Sequence, residues 1–181
     1  MSGLIVLSHV QAEPLLAARA QAPCRVMASL DLNLTQSELA LTGEGVVLPD
    51  GQKLPWPVVE TIAGDDTACY HAQGGEATKI QFFSEEMNRL YTLYPTLSAP
   101  TMLISGLPMH RIKGTDPYRD TQEKIRAARP AGRVLDTAMG LGYTAIQAAG
   151  LADFVLTIEL DPTVEEVCRL NPWSQALFDN P

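Results

Sequence analysis

Cysteine, histidine and positive charge are all scarce in this sequence, and each shortage removes a class of function. Three cysteines, Cys24, Cys69 and Cys168, stand far apart and are odd in number, with no CxxC pair. That pattern suggests neither a disulfide framework nor a structural zinc site, and the cysteines read as small core residues. His9, His71 and His110 are equally scattered, so no metal site is expected. Lysine and arginine number 13 against 21 acidic residues, a net charge of −8. Such a balance gives no indication of nucleic acid or an anionic membrane as partner, although a local basic patch on an RNA or DNA enzyme is compatible with it. Long apolar runs are missing as well: nothing approaches the roughly 18 apolar residues of a membrane span. The amino-terminal run Leu4–Leu7 has no positive charge ahead of it and is followed by His9, Gln11 and Glu13, unlike a secretory signal. A cytoplasmic protein is expected.

Apolar residues nonetheless make up 46% of the 181 residues, enough for one large domain or two small ones. Residues 1–105 read as a β-rich accessory region. Leu4–Val10, Arg25–Leu32, Glu38–Thr42, Ala68–His71 and Thr78–Phe83 are strand candidates, with Pro14–Ala22 a short helix or turn. Asp50-Gly51, between two apolar runs, suits a tight hairpin turn. Pro55 and Pro57 then break regular pairing, and Val58–Ala63 begins a short helix. Ser84, followed by Glu85 and Glu86, predicts a helix that ends before Pro95. Near Pro100–Pro108 the composition shifts, and residues 106–181 form a second region. The apolar Thr101–Leu107 straddles this boundary, and a polar stretch from His110 to Tyr118 and a basic helix over Thr121–Arg129 follow it.

The informative stretch runs from Gly132 to Ile146. Arg133–Leu135 reads as a buried strand, Met139-Gly-Leu-Gly142 as a turn, and Tyr143–Ala149 as a helix. A strand, glycine turn and helix bring backbone N–H groups close to a bound nucleotide, and Gly140 and Gly142 carry no Cβ to obstruct it. A second strand, Phe154–Ile158, ends at Glu159, 17 residues after Gly142. A carboxylate at that strand tip is where a parallel α/β sheet meets ribose hydroxyls. Asp161 and Pro162 suit the N-cap and first turn of a following helix. An ordinary βαβ unit, whose glycines only make a tight turn, stands as the plainer alternative.

Asp136-Thr-Ala-Met-Gly-Leu-Gly-Tyr-Thr-Ala145 resembles motif I of class I S-adenosylmethionine (SAM) dependent methyltransferases, and Thr157-Ile-Glu-Leu-Asp-Pro162 resembles their second-strand acidic motif. More narrowly, Met109-His-Arg-Ile-Lys-Gly-Thr-Asp-Pro117, the motif I segment and Leu170-Asn-Pro-Trp-Ser174 resemble a poorly characterised, mainly archaeal group of predicted methyltransferases. The resemblance covers roughly residues 109–178. It implies an α/β fold, α+β overall, with the β-rich region followed by the first half of a Rossmann-like methyltransferase domain. It further implies SAM as cofactor, with a site running through Asp136, Ala138, Gly140, Gly142 and Tyr143 to Glu159. Asp136 would begin the loop, the two glycines back the amino-acid moiety, and Glu159 hold the ribose. Ala138 stands where the family carries a glycine. A nicotinamide-type GxGxxG reading tolerates Ala145 at its third position, so Asp136 and the Glu-x-Asp-Pro ending are what separate the two.

No residue here is assigned to catalysis, and the methyl acceptor is open. Asn171-Pro-Trp173 resembles the Asp/Asn-Pro-Pro-aromatic motif of methyltransferases acting on exocyclic or amide nitrogens, but it follows the second strand's helix, where it cannot serve. Asp116-Pro-Tyr118 lacks the second proline and a preceding strand. His110, Arg111 and Lys113 suit either the cofactor's carboxylate or a solvated loop. Only 22 residues follow Glu159, so the domain is expected to be truncated after its second strand, and its unfinished sheet to self-associate. Two other readings stay open: an aminopropyltransferase of the spermidine synthase kind, and a non-catalytic nucleotide-binding or interaction module.

Overall fold

Ser8 decides how the chain begins. Its hydroxyl accepts a hydrogen bond from the Val10 N–H at 3.2 Å, and its own N–H donates to Gln11 Oε1 at 3.0 Å. This capping box stabilises a helix start by about 1 kcal/mol. The apolar run expected as one strand over Leu4–Val10 is therefore split: strand β1 covers only Val6–Leu7, and helix α1 takes His9–Ala18. The structure, a computed structural model, describes residues 3–179.

Strands β2 (Cys24–Ala28), β3 (Ser37–Leu41), β4 (Gly45–Val47) and β5 (Lys53–Pro55) form an antiparallel sheet in sequential order. The Asp50-Gly51 turn lies between the last two, with Gly51 at φ +83° as a tight reversal demands. Pro55 ends β5 and Pro57 sits in the first turn of α2 (Trp56–Ala63), where a missing N–H costs nothing. Trp56 is buried, and its indole N–H donates to the Thr42 carbonyl at 3.0 Å. With Leu15, Leu39, Leu41, Leu54 and Ile62 it forms a first core, each such side chain stabilising the fold by roughly 1.5–3 kcal/mol.

Strands β6 (Tyr70–Gln73) and β7 (Glu76–Lys79) join β1 in a three-stranded sheet. A four-stranded antiparallel meander follows: β8 (Gln81–Ser84), β9 (Arg89–Tyr94), β10 (Thr101–Ile104) and β11 (Leu107–Pro108). The helix expected after Ser84 is not formed. Ser84 Oγ accepts from the Met87 N–H at 3.1 Å and Asn88 adopts φ +50°, which reverses the chain so that Ser84 pairs with Arg89 and Phe82 with Tyr91. Burial of Tyr91 and Leu93 on the returning strand outweighs the weak local capping signal.

Helix α3 (Pro117–Ala128) starts four residues earlier than the expected Thr121, because Asp116 caps it by accepting from Tyr118 and Arg119 N–H at 3.0 Å each. Next come β12 (Arg133–Asp136), α4 (Tyr143–Ala149) and β13 (Phe154–Thr157), with the two strands parallel and Asp136 opposite Thr157. Asp161 then caps α5 (Pro162–Arg169), and a short 3-10 helix spans Pro172–Leu177. Helix α5 buries Val164, Val167 and Cys168, an i, i+3, i+4 face, against β8 and β9. A second core thereby combines Val6, Ile80, Tyr91 and Leu93 with Leu141, Tyr143 and Val167, drawing on both sides of the expected boundary at residue 105. The architecture is a mixed α and β one: antiparallel sheets and one parallel β-α-β unit. Among the described residues no helix is long and apolar enough to cross a membrane.

Candidate functional site

Parallel pairing of β12 with β13 sets two carboxylates at neighbouring strand ends. Asp136 closes β12, and its Oδ2 accepts from Thr157 Oγ1 at 2.9 Å. Glu159 lies two residues beyond β13. Its Oε2 accepts from the Gly140 N–H at 2.9 Å, and its Oε1 from the N–H groups of Leu160 at 2.7 Å and Asp161 at 3.3 Å. The acidic residue thus ties the glycine turn to the tip of the second strand. The turn itself closes through Gly142 N–H to Met139 O at 2.7 Å, with Met139 N–H bonded to Ile158 O at 2.9 Å.

Gly140 and Gly142 adopt φ +52° and +75°, left-handed values that disfavour any side chain. Their missing Cβ atoms serve a purpose different from the expected one. A Cβ on Gly140 would lie 2.3 Å from Met109 Cε, and one on Gly142 would lie 2.1 Å from Leu177 Cδ1. The bare faces of both glycines are filled by protein side chains, so it is not there that a nucleotide could approach. Behind the turn the Cys168 thiol donates to the Gly140 carbonyl at 2.9 Å; burial pushes that thiol up to about 12, which keeps its proton in place.

The expected site residues divide into two groups. Asp136, Ala138 and Glu159 surround the outer side of the turn, with Ala138 and Glu159 exposed. Tyr143 points away from it. Its ring is buried, its hydroxyl donates to Pro100 O at 2.9 Å, and it accepts from Asn171 Nδ2 at 2.9 Å. Only its backbone remains for a ligand, a correction to the expectation that the residue as a whole meets the cofactor.

His110 stacks on that tyrosine, with ring centroids 5.3 Å apart, and its Nδ1 lies 3.0 Å from Thr101 Oγ1. Burial first, and then the nearby Lys124 ammonium, pull its pKa down to about 4; the imidazole is neutral at pH 7. Asp120, itself buried, pairs with Lys124 at 2.7 Å and with Arg111 at 3.5 Å. Arg111 is thereby held by the protein, while Lys113 is exposed. Asn171 and Trp173, in the segment resembling a nitrogen-directed methyltransferase motif, are structural: Asn171 caps the 3-10 helix and Trp173 Nε1 donates to Leu32 O at 3.0 Å. Met109, Leu177 and Cys168 support the turn without any local signal in the sequence, because each reaches it from a distant element.

No protein-family profile matches the chain. It is 38% identical over 159 residues to an uncharacterized protein of Methanocaldococcus jannaschii, a match covering 84% of this chain and 54% of that protein. The chain therefore spans about half the length of the relative it matches.

Proposed function

We propose that this chain carries the cofactor half of a SAM-dependent methyltransferase. The observation that supports the reading most directly is Glu159, an exposed carboxylate at the end of the second parallel strand, bonded to the glycine turn of the first. Carboxylates in that position of a parallel sheet accept from ribose hydroxyls. Each carboxylate oxygen has room for two donors, so Glu159 can keep its bond to Gly140 and take a ribose hydroxyl as well. Asp136, Ala138 and the backbone of the turn would border the remainder of the ligand on the outer side, opposite the faces that Met109 and Leu177 fill.

When bound, SAM supplies a sulfonium methyl open to in-line attack by a nucleophile. The contribution of these residues is positioning: Glu159 fixes the ribose, and the rigid turn fixes Glu159. Neutral His110, one residue from the Met109 that backs Gly140, adds no positive charge beside the site. Calorimetric titration with SAM tests the reading. Removing a charged hydrogen-bond partner weakens binding by roughly 1.5–3 kcal/mol, or about 10- to 150-fold, so Glu159→Ala is expected to lose affinity on that scale. Equal affinity in the two proteins refutes the assignment. Preference for decarboxylated SAM would move it to aminopropyl transfer.

A further inference from the structure

The parallel pair β12–β13 is open on one face and at its outer edge. In register, Leu135 faces Leu156 and Arg133 faces Phe154, and because successive strand residues alternate sides, these four share one face with Ile158. That face is bare: Leu135 is 58% exposed, Leu156 50%, Ile158 48% and Phe154 46%. Among the described residues the sheet has only two strands, and no strand pairs with the far edge of β13. Beside it runs a groove of about 520 Å³ bounded by Ile146 and Ala149 of α4, by β13, and by Leu177. Parallel sheets occur almost only with both faces covered, and an unpaired edge is a template for a further strand.

We propose that this face and groove receive the polypeptide that corresponds to the unmatched part of the longer M. jannaschii protein, one strand of it pairing with the free edge of β13 and a further apolar layer covering Leu135 and Leu156. The relative supports this occupant, since 46% of it lies outside the matched region. Charge argues against a second copy of this chain, which would bring together two molecules of net charge −8. The proposal stands without any nucleotide, so its outcome is separate from the SAM titration.

Hydrogen exchange, measured on this chain and on the full-length M. jannaschii protein, tests it, with light scattering giving the mass of each. The strand amides of Phe154–Thr157 that point away from β12 are expected to exchange freely in a monomer of this chain. At the aligned positions of the longer protein they should be slowed ~100-fold or more, toward the limit set by global unfolding. Three results would overturn the proposal: equally fast exchange in both proteins, slow exchange in a monomer of this chain, or slow exchange that accompanies a doubled mass. The last would identify the occupant as a second copy, the self-association expected from the sequence.

Discussion

Replacing Gly142 by alanine separates what the glycine does for the fold from what it does for a ligand. At φ +75° an L-residue costs about 1–2 kcal/mol. The new methyl would also lie 2.1 Å from Leu177 Cδ1 and 2.8 Å from its Cγ, and forcing an extra carbon into a filled space costs about 1–3 kcal/mol. Together these give a destabilisation of about 2–5 kcal/mol, a large share of the ~5–15 kcal/mol by which a domain is stable. Leu177→Ala removes the overlap and leaves the backbone cost. In urea unfolding, the double variant Gly142→Ala/Leu177→Ala should therefore be more stable than the sum of the single losses by about 1–3 kcal/mol. Additivity within ~0.5 kcal/mol, or a Gly142→Ala protein as stable as the parent, would refute the packing. Gly142→Val, with a larger branched side chain at the same place, should destabilise both regions, because Leu177 packs against the core they share.

The remaining predictions concern charge and polarity in the same core. His110 titrates at about 4 when folded against an ordinary 6.5, so the unfolded chain binds its proton more tightly. Its share of stability is complete above pH 6.5 and is lost as pH falls toward 4, amounting to about 3 kcal/mol. Urea titrations at pH 7.5, 5.5 and 4 should show that slope in the parent and a shallower one in His110→Phe; parallel slopes would remove the histidine from the account. Asn171 is fully buried and donates to Tyr143 Oη at 2.9 Å and Ser174 Oγ at 2.7 Å. Asn171→Leu should cost about 1–3 kcal/mol by thermal unfolding, and a neutral result would mean these bonds are dispensable.

Local chemistry was legible wherever it was decided locally. The strand-turn-helix-strand run from Arg133 to Thr157, the Asp161 cap and the Asp50-Gly51 hairpin needed only propensity and turn residues to be read. Ser84-Glu-Glu misled because the same hydroxyl that caps a helix can accept from the i+3 N–H of a hairpin loop. Only the burial of Tyr91 and Leu93 under α5, about seventy residues further along the chain, decides between them. Ser8 shows the converse, a capping box with Gln11 hidden by the apolar residues around it. At the site, Asp136 and Glu159 stand at the strand ends that their spacing implies. The filling of the glycine faces by Met109 and Leu177 has no sequence signal, since neither contact is between near neighbours.

The shared second core means that the meander and the glycine turn melt together rather than in sequence. Tyr91 and Leu93 belong to one region, Val164 and Val167 to the other, and they bury the same apolar surface. Any ligand that binds only the folded turn then raises the free energy of opening β9 by the same amount as that of opening the turn, RT ln(1 + [L]/Kd). A fluorophore or an exchange-protected amide placed in the antiparallel sheet would thus report occupancy of a pocket it never touches.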